Sequence, residues 1–380
     1  MKIGFFSLLF SSCLLVAACS SGTGTDARTG TDTPPERLSM SDILENVEGT
    51  TTNNEALTDV CARLYPDATI DSELRVGLVA DVASIDDGTF NQAAFEGMEA
   101  AGNCVGVDTI FLESAENDAT LQISSIIERD VDIVVTLGFQ FEEATIKAAL
   151  ERPDLRFIGV DQANPDGISN YVAISFDDQQ VGFLAGITAG LSTESETVAI
   201  VAGPETVTPV VVIADGFEEG VRHVSPDAVV LRKHMDSFAD SQGGANQAQI
   251  FVEEGADVVF GAAGDTGTGA IEAAASAGSN VIGVDQDEFF TTFSGGAHPS
   301  SEQLLTSAIK RVDLGVFLTI TAMATSDVEG GGFLLNVANG GVTYAPFHEA
   351  DIPDDVATMI EKLRLDLADD KIDLAETNER

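Results

Sequence analysis

The sequence predicts an α/β protein whose folded body consists of two doubly wound parallel sheets. Short apolar runs rich in Val, Ile and Ala alternate with longer amphipathic segments along most of the chain. Most of the short runs lack alternating polar residues, which is typical of strands buried on both faces of a parallel sheet. A single sheet holding all of these strands would be unusually large, so the sequence favours two lobes.

The predicted elements follow one another in strand–helix order from residue 75 onward. We predict strands at residues 75–81, 108–113, 132–138, 156–161, 170–176, 197–203, 228–233, 256–262 and 280–285. The predicted helices span residues 89–102, 118–129, 141–151, 178–192, 209–224, 241–255, 267–278 and 301–324. The region 333–344 is typical of late strands around a Gly-Gly turn, and residues 353–376 carry the apolar stripe of a surface helix.

These elements predict two interleaved lobes behind an N-terminal leader. Residues 1–18 form an apolar run closed by small residues, which is typical of a signal peptide, and residues 19–54 are predicted to be a flexible linker because large apolar side chains are few. The predicted domains are a first lobe of residues 55–175 plus 287–325, a second lobe of residues 176–286 plus 326–350, and a C-terminal helix in residues 351–380. We expect the hinge near residues 175, 286 and 325.

Composition and motifs narrow the class of function. The chain has 63 acidic and 18 basic residues and a formal net charge of −45, so nucleic acid and anionic lipid surfaces would be repelled. The four histidines lack the spacing of metal ligands, and the sequence contains no G-x-S-x-G motif. We therefore expect a binding protein that needs no metal or cofactor, rather than an enzyme.

Three cysteines carry predictions. Cys19 directly follows a Val-Ala-Ala run, and this pattern resembles a bacterial lipobox, which implies cleavage before Cys19 and lipidation of its sulfur. The alternative is an ordinary signal peptide with an incidental cysteine. Export places Cys61 and Cys104 in an oxidising space, so we predict a disulfide between them, with two buried thiols as the alternative.

Acidic residues end several of the predicted strands. Asp81 ends the first strand, and the sequence Ile-Gly-Val-Asp-Gln occurs twice, ending strands at Asp161 and Asp285. Ligands of open α/β sheets bind at the carboxyl ends of the strands, and carboxylates there can accept hydrogen bonds from hydroxyl or N–H groups. Each aspartate taken alone could instead cap a helix. Three of them at one edge favour a ligand site.

Aromatic, glycine and lysine residues extend this predicted site. Phe90 and Phe260 could sandwich a flat ring at the mouth of two lobes, although core packing is the commoner role of phenylalanine. Gly264 lies in a glycine-rich stretch that would let a ligand approach the backbone. Lys310, which we expect on an apolar helix, could reach a cleft lined by aspartates, with a solvated surface position as the alternative.

Five segments resemble the basic membrane protein family of bacterial solute-binding lipoproteins, and within it the purine nucleoside receptors that serve ABC transporters. These segments are residues 86–92, 214–221, 263–269, 281–287 and 306–311. The first is the most specific, and in it Gly88 and Thr89 replace the Lys-Ser usual in the family. The resemblance runs from about residue 75 to residue 344, which is most of the exported body.

The resemblance implies the type I periplasmic-binding fold, in which two hinged lobes close on a ligand. It implies that Phe90 and Phe260 stack on the base from either side. Asp81 and Asn91 match positions that bind the base or lie beside it. The family also tends to place an aromatic residue after the third strand, where this sequence offers two phenylalanines within residues 138–141.

The ribose side of the implied site involves four further positions. Asp285 and Lys310 match positions that hold ribose hydroxyls, and Asp161 and Gly264 match positions that line the cleft. The implied function is delivery of a nucleoside, most simply a purine nucleoside, to the permease subunits of an ABC importer. A lipid on Cys19 would hold the protein on the extracytoplasmic side of the cell membrane. The alternatives are a binder of sugars or other small polar ligands with the same fold, and a secreted α/β enzyme.

Overall fold

The computed structural model describes residues 38–45, 55–66, 73–80, 85–112 and 118–374. The predicted signal peptide, the lipidation site Cys19 and the ligand-contact candidate Asp81 lie outside these residues, as does most of the predicted linker. In the described part of the chain, no helix is both long and apolar enough to cross a membrane.

Strands and helices alternate along the described chain. The strands are β1 (Arg75–Val79), β2 (Asp108–Leu112), β3 (Ile133–Leu137), β4 (Arg156–Val160), β5 (Tyr171–Phe176), β6 (Thr197–Ala202), β7 (Val229–His234), β8 (Val258–Ala262), β9 (Asn280–Asp285), β10 (Leu304–Lys310), β11 (Gly331–Leu335) and β12 (Val342–Tyr344). The helices are α1 (Met40–Glu45), α2 (Leu57–Leu64), α3 (Phe90–Val105), α4 (Ala119–Ile127), α5 (Glu142–Glu151), α6 (Asp178–Ser192), α7 (Thr208–Val224), α8 (Ser241–Glu253), α9 (Asp265–Ser276), α10 (Glu288–Thr291), α11 (Val312–Thr325) and α12 (Asp354–Ala368).

The strands form two six-stranded sheets with the same topology. The first sheet has the order β11-β5-β4-β3-β1-β2 and the second the order β12-β10-β9-β8-β6-β7. All neighbouring strands are parallel except β10 and β12, which are antiparallel. Most of the central strands are buried on both faces, as their continuous apolar runs predict. The predicted fold class is therefore confirmed.

The chain crosses between the two sheets three times, and the crossings lie side by side. They run from β5 to α6, from β10 to α11, and from β11 to β12. The backbone N–H of Asp177 donates to the carbonyl of Leu335 at 2.9 Å, and that of Arg311 donates to the carbonyl of Gly341 at 2.9 Å. The crossings thus lie near residues 177, 311 and 336–341. The hinge position expected near residue 175 lies beside the first crossing, whereas residues 286 and 325 do not lie at a crossing.

The region predicted as one helix over residues 301–324 contains a strand followed by a helix. Every residue of β10 is buried, and this strand lies between β9 and β12 in the second sheet. The helix α11 follows directly and packs on α3 in the first lobe. Pairing with β9 overrides the helical pattern of Leu304–Lys310, because it supplies hydrogen-bond partners to a fully buried backbone.

The predicted lobe boundaries after residue 286 therefore change. Residues 287–310, predicted for the first lobe, lead into and form a strand of the second sheet. The strand β11, predicted for the second lobe, pairs with β5 in the first sheet. Each lobe is completed by a strand that comes from beyond a crossing, which local sequence patterns do not reveal.

Residues 38–45, within the predicted flexible linker, are folded onto the first lobe. Leu38 forms a β-bridge with Val328, and Met40 and Leu44 of α1 are buried in the first-lobe core. Two apolar side chains four residues apart lie on one face of a helix, and here they suffice to dock α1. The prediction of a flexible linker was wrong for this part.

Two peripheral helices complete the body. In the structure a disulfide joins Cys61 of α2 to Cys104 of α3, with 5.9 Å between their Cα atoms. At the other end of the chain, α12 packs on α6 in the second lobe. Its buried side chains are Ile360, Leu363 and Leu367, which belong to the predicted apolar stripe.

Candidate ligand-binding site

A cleft lies between the carboxyl edges of the two sheets. Its lining comes from residues that follow β1, β3 and β4 in the first lobe and β6, β7, β8, β9 and β10 in the second. The empty volume is about 900 Å³, including the part open to solvent. The position of the cleft follows the rule that ligands of open α/β sheets bind at the carboxyl ends of the strands.

Lys310 is the buried cation of this cleft. It ends β10 rather than lying on a helix, and it is 2% exposed. Its Nζ lies 2.7 Å from Oδ2 of Asp161 and 2.9 Å from Oδ1 of Asp178. It also lies 5.4 Å from the centroid of the Phe90 ring. Asp161 belongs to the first lobe, so Lys310 connects the two lobes through a buried ion pair.

Negative charge exceeds positive charge around Lys310. Burial raises the pKa of Asp285 to about 7. The positive charge of Lys310 lowers this pKa, whereas the negative charge of Asp161 raises it further. Burial likewise raises the pKa of Asp178 to about 7. Burial would lower the pKa of Lys310, but these carboxylates outweigh it and raise the pKa above its ordinary value. The cleft therefore offers acceptors for neutral hydroxyl groups and one firmly protonated donor.

The two copies of the Ile-Gly-Val-Asp-Gln sequence occupy equivalent places in the two lobes. The first copy ends β4 and the second ends β9, and both strands hold the third position in their sheets. Both aspartates have left-handed backbone conformations, with φ of 56° at Asp161 and 65° at Asp285. Backbone strain of this kind in non-glycine residues is typical of functional sites. Here the two strained residues stand where β4 and β9 end at the cleft.

The loop before α3 brings Phe90 and Asn91 into the cleft. The carboxylate of Asp87 caps the helix by accepting hydrogen bonds from the backbone N–H groups of Thr89 (2.8 Å), Asn91 (3.1 Å) and Gln92 (3.1 Å). Burial raises the pKa of Asp87, and these hydrogen bonds oppose the increase. This cap fixes the first turn of α3, so Asn91 lines the cleft at 5% exposure.

The aromatic residue that the second lobe contributes is Phe238, not Phe260. Phe260 lies within β8, is fully buried, and packs on Phe217 with 5.3 Å between ring centroids. It does not line the cleft, so the structure does not bring it together with the other predicted ligand contacts. Phe238 follows β7 and lines the cleft from the lobe opposite Phe90. Its position after a strand end was the signal that sequence reasoning missed.

The structure also distinguishes the two phenylalanines that follow β3. Phe139 lines the cleft, whereas Phe141 is 2% exposed and belongs to an apolar core cluster of the first lobe. Gly264, which precedes α9, lines the cleft with φ of 55°, and this conformation brings bare backbone to the ligand space. Six predicted residues thus meet in one cleft, namely Phe90, Asn91, Asp161, Gly264, Asp285 and Lys310.

Comparison with known proteins agrees with this geometry. A family model described as "ABC transporter substrate-binding protein PnrA-like" matches residues 74–364. The chain belongs to this family. The predicted resemblance is therefore confirmed, and the relatives are substrate-binding proteins rather than enzymes.

Two named relatives and one solved structure cover most of the chain. The CD4+ T-cell-stimulating antigen of Listeria monocytogenes is 29% identical over 321 residues, which are 80% of this chain and 88% of that protein. The ABC transporter nucleoside-binding protein BmpA of Lactococcus lactis subsp. cremoris is 28% identical, over 80% of this chain and 89% of its own length. A solute-binding protein of an ABC transporter system from Aeropyrum pernix superposes with a TM-score of 0.71 at 21% identity, covering 81% of this chain and 94% of that one. This last match supports the type I periplasmic-binding fold.

Proposed function

We propose that this substrate-binding protein takes a nucleoside, with a preference for purine nucleosides, into the cleft between its lobes. The observation that carries the proposal is the combination of half-buried Asp161 and Asp285 and buried Lys310 with Phe90 and Phe238 in a single cleft. A nucleoside has the matching chemistry, because it joins a polar sugar to a flat apolar base.

The charged end of the cleft suits the ribose. Carboxylates accept hydrogen bonds from neighbouring hydroxyls, and an ammonium group donates them. Asp285 and Asp161 would accept from the ribose hydroxyls, while Lys310 keeps its charge and donates. A phosphate group would meet an excess of negative charge around Lys310, so we expect nucleosides to bind in preference to nucleotides.

The aromatic end of the cleft suits the base. Phe90 and Phe238 come from opposite lobes and would contact the two faces of a flat ring. Asn91, whose side chain can donate and accept, would select the polar edge of the base. An apolar part of the wall comes from Val207, Pro209, Val210 and Ile213 around the start of α7. A larger purine would bury more of this wall than a pyrimidine would.

The proposal includes the partners and the location that follow from the family. The closed protein would deliver the nucleoside to the permease subunits of an ABC importer on the extracytoplasmic side of the membrane. A lipid on Cys19 would keep it there, and mass spectrometry of protein from the native membrane would detect the expected diacylglyceryl and acyl additions at that residue. A mature protein that is cleaved at a position other than before Cys19, with Cys19 unmodified, would contradict the predicted lipid anchor.

Calorimetric titration tests the ligand. The purified full chain is unfolded and refolded to remove carried-over ligand, then titrated with guanosine, inosine, adenosine, cytidine, uridine and ribose. We expect Kd values of roughly micromolar or tighter for at least one purine nucleoside, corresponding to about −8 kcal/mol, and no binding of ribose. Asp285→Ala should weaken binding about tenfold or more, whereas the matched variant of an exposed residue, Asp227→Ala, should not. Refolded protein that binds no nucleoside would favour the sugar alternative.

A further inference from the structure

A pair of hydrogen bonds joins the lobes beside the cleft, and both are donated by side chains that do not line it. Nε2 of Gln286, just after β9, donates to the carbonyl oxygen of Thr89 at 2.9 Å. Oγ1 of Thr291, at the end of α10, donates to the carbonyl oxygen of Gly88 at 3.0 Å. Both donors belong to the second lobe and both acceptors to the loop before α3 in the first lobe. Neither Gln286 nor Thr291 lines the cleft.

We propose that Gln286 and Thr291 form a latch that stabilises the closed arrangement of the lobes and so slows release of the bound ligand. This inference rests on the proposed function, since it assumes that a ligand is held between the lobes. It differs from the ligand contacts because the latch residues act on the lobes rather than on the ligand.

The donor side of the latch is held rigidly by the second lobe. Glu288, at the start of α10, is fully buried, and its Oε1 accepts from the backbone N–H of Val284 at 3.0 Å. The backbone N–H of Glu288 donates to Oγ of Ser307 in β10 at 3.1 Å. These bonds fix α10 to the strands β9 and β10, so Thr291 cannot follow the first lobe if that lobe moves away.

The acceptor side is held equally firmly by the first lobe. Asp87 accepts three backbone hydrogen bonds from the start of α3 and thereby fixes the loop that contains Gly88 and Thr89. Gly88 has φ of 73°, a left-handed conformation that glycine adopts without strain. Because each half is fixed to its own lobe, both latch bonds are lost together when the lobes separate.

The latch acts against an electrostatic repulsion at the same edge of the cleft. Burial raises the pKa of Asp265 in the second lobe, and the charges of Asp87 and Asp86 in the first lobe raise it further. Closure therefore brings like charges together. Contacts made only in the closed form raise the equilibrium constant for closure and so shift the population toward that form. The apparent affinity and the lifetime of the bound ligand rise by the same factor as this equilibrium constant.

Release kinetics test the latch in the full chain. Tritiated guanosine, inosine, adenosine and uridine are each bound and then chased with excess unlabelled nucleoside. We expect Gln286→Ala and Thr291→Val each to release ligand about twofold to tenfold faster than the unmodified protein, the range for loss of one hydrogen bond. Thr291→Ser keeps the hydroxyl and should retain the slow rate. Thr358→Val, which removes a hydroxyl that bonds within α12, is the matched control.

A cross-link gives a second test that needs no ligand. A Cβ built on Gly88 lies 3.5 Å from Cβ of Thr291, which is within the separation of disulfide-bonded cysteines. A cysteine at Gly88 is strained by the φ of 73°, so the test compares two variants that share this strain. The double variant Gly88→Cys/Thr291→Cys should oxidise to an interlobe disulfide, and the same pair with Gln286→Ala added, which lacks the remaining latch bond, should oxidise more slowly. The latch would be overturned if Gln286→Ala and Thr291→Val both released ligand at the rate of the control variant. It would also be overturned if Gln286→Ala left the rate of oxidation unchanged. Failure of every nucleoside to bind, with slowed oxidation, would instead count against the proposed ligand alone.

Discussion

At the scale of single residues, Lys310 determines the electrostatics of the cleft. It is the buried partner of Asp161 and Asp178, and it keeps its proton because these carboxylates surround it. In a chain with 18 basic residues, placing one of them at the end of a buried strand concentrates the available positive charge where a ligand would bind. Lys310 also contacts the ring of Phe90, so the ribose and base ends of the proposed site share this residue.

Substitution of the two second-lobe phenylalanines should separate binding from stability. Phe238→Ala removes a cleft aromatic that is only partly packed on the second-lobe core, so we expect nucleoside affinity to fall about tenfold or more, by at least about 1.4 kcal/mol, with a smaller loss of stability than in Phe260→Ala. Phe260→Ala removes a fully buried core ring and should lower the free energy of unfolding by about 3–5 kcal/mol. Calorimetry and thermal unfolding measure the two effects. Unchanged affinity in Phe238→Ala would exclude that residue from the site.

Asp285→Asn should stabilise the protein without ligand while weakening binding. The folded state holds the proton of Asp285 up to a pKa of about 7, whereas the unfolded chain releases it near 3.8. The unfolded state then binds fewer protons, so this group's contribution to stability falls as pH rises from about 4 to about 7. We expect a melting temperature higher by roughly 2–4 °C at pH 8, about 1 kcal/mol, and no difference below about pH 4.

Thermal unfolding of Asp285→Asn at both pH values, with Asp227→Asn as the exposed control, measures this effect. Equal melting temperatures for Asp285→Asn and the unmodified protein at pH 8 would contradict it. A stabilising substitution that also weakens binding is the expected result when a site holds carboxylates in an unfavourable environment for the sake of its ligand.

At the scale of secondary-structure elements, the segments that cross between the lobes have a dual role. The crossing after β10 places Lys310 in the cleft immediately before Arg311 starts the passage to α11. Arg311 is buried and donates to the carboxylate of Asp313 and to the carbonyl of Glu55 before α2. A change in hinge geometry would therefore move a residue of the proposed site directly, which couples ligand contact to closure.

The pairing of α2 with α3 through a disulfide should contribute to stability. Cys61 and Cys104 are separated by 43 residues, and cross-links of such loops typically contribute about 2–4 kcal/mol. We expect mass spectrometry of non-reduced protein to show the two cysteines joined, and the double variant Cys61→Ser/Cys104→Ser to unfold at lower denaturant concentration. Val60 of α2 would remain buried in the first-lobe core, and Arg311 would still donate to the carbonyl of Glu55, so the fold should persist. Free thiols on both cysteines of the unmodified protein would contradict the bridge.

At the scale of the whole molecule, two lobes of one topology face each other across the cleft. Equivalent strands end in Asp161 and Asp285, so each lobe contributes a carboxylate from the same structural position. The chain as a whole carries a net charge of −45, and self-repulsion of this size opposes compact states and is screened by salt. The buried ion pair of Lys310 with Asp161 and the proposed latch are the opposing contacts that join the lobes.

The sequence by itself determined the fold class, the edge of the sheets at which the cleft lies, and six of the residues that line the cleft. Alternating buried strands and amphipathic helices have local periodicities, and a polar residue after a strand end marks the ligand edge wherever the strand lies. These local signals found Phe90, Asn91, Asp161, Gly264 and Asp285, which meet in one cleft. Lys310 was predicted for the same cleft, but on a helix, and only the structure places it at the end of β10.

Only the tertiary structure decided the exchange of strands between lobes and the identity of the second aromatic residue. Whether Leu304–Lys310 forms a helix or a strand depends on pairing with β9. The local pattern of apolar residues does not encode this pairing. Whether Phe238 or Phe260 meets a ligand depends on what packs against each ring, and α7 covers Phe260 while Phe238 stays beside the cleft. Contacts between segments far apart in the chain set both outcomes, so neither could be derived from neighbouring residues alone.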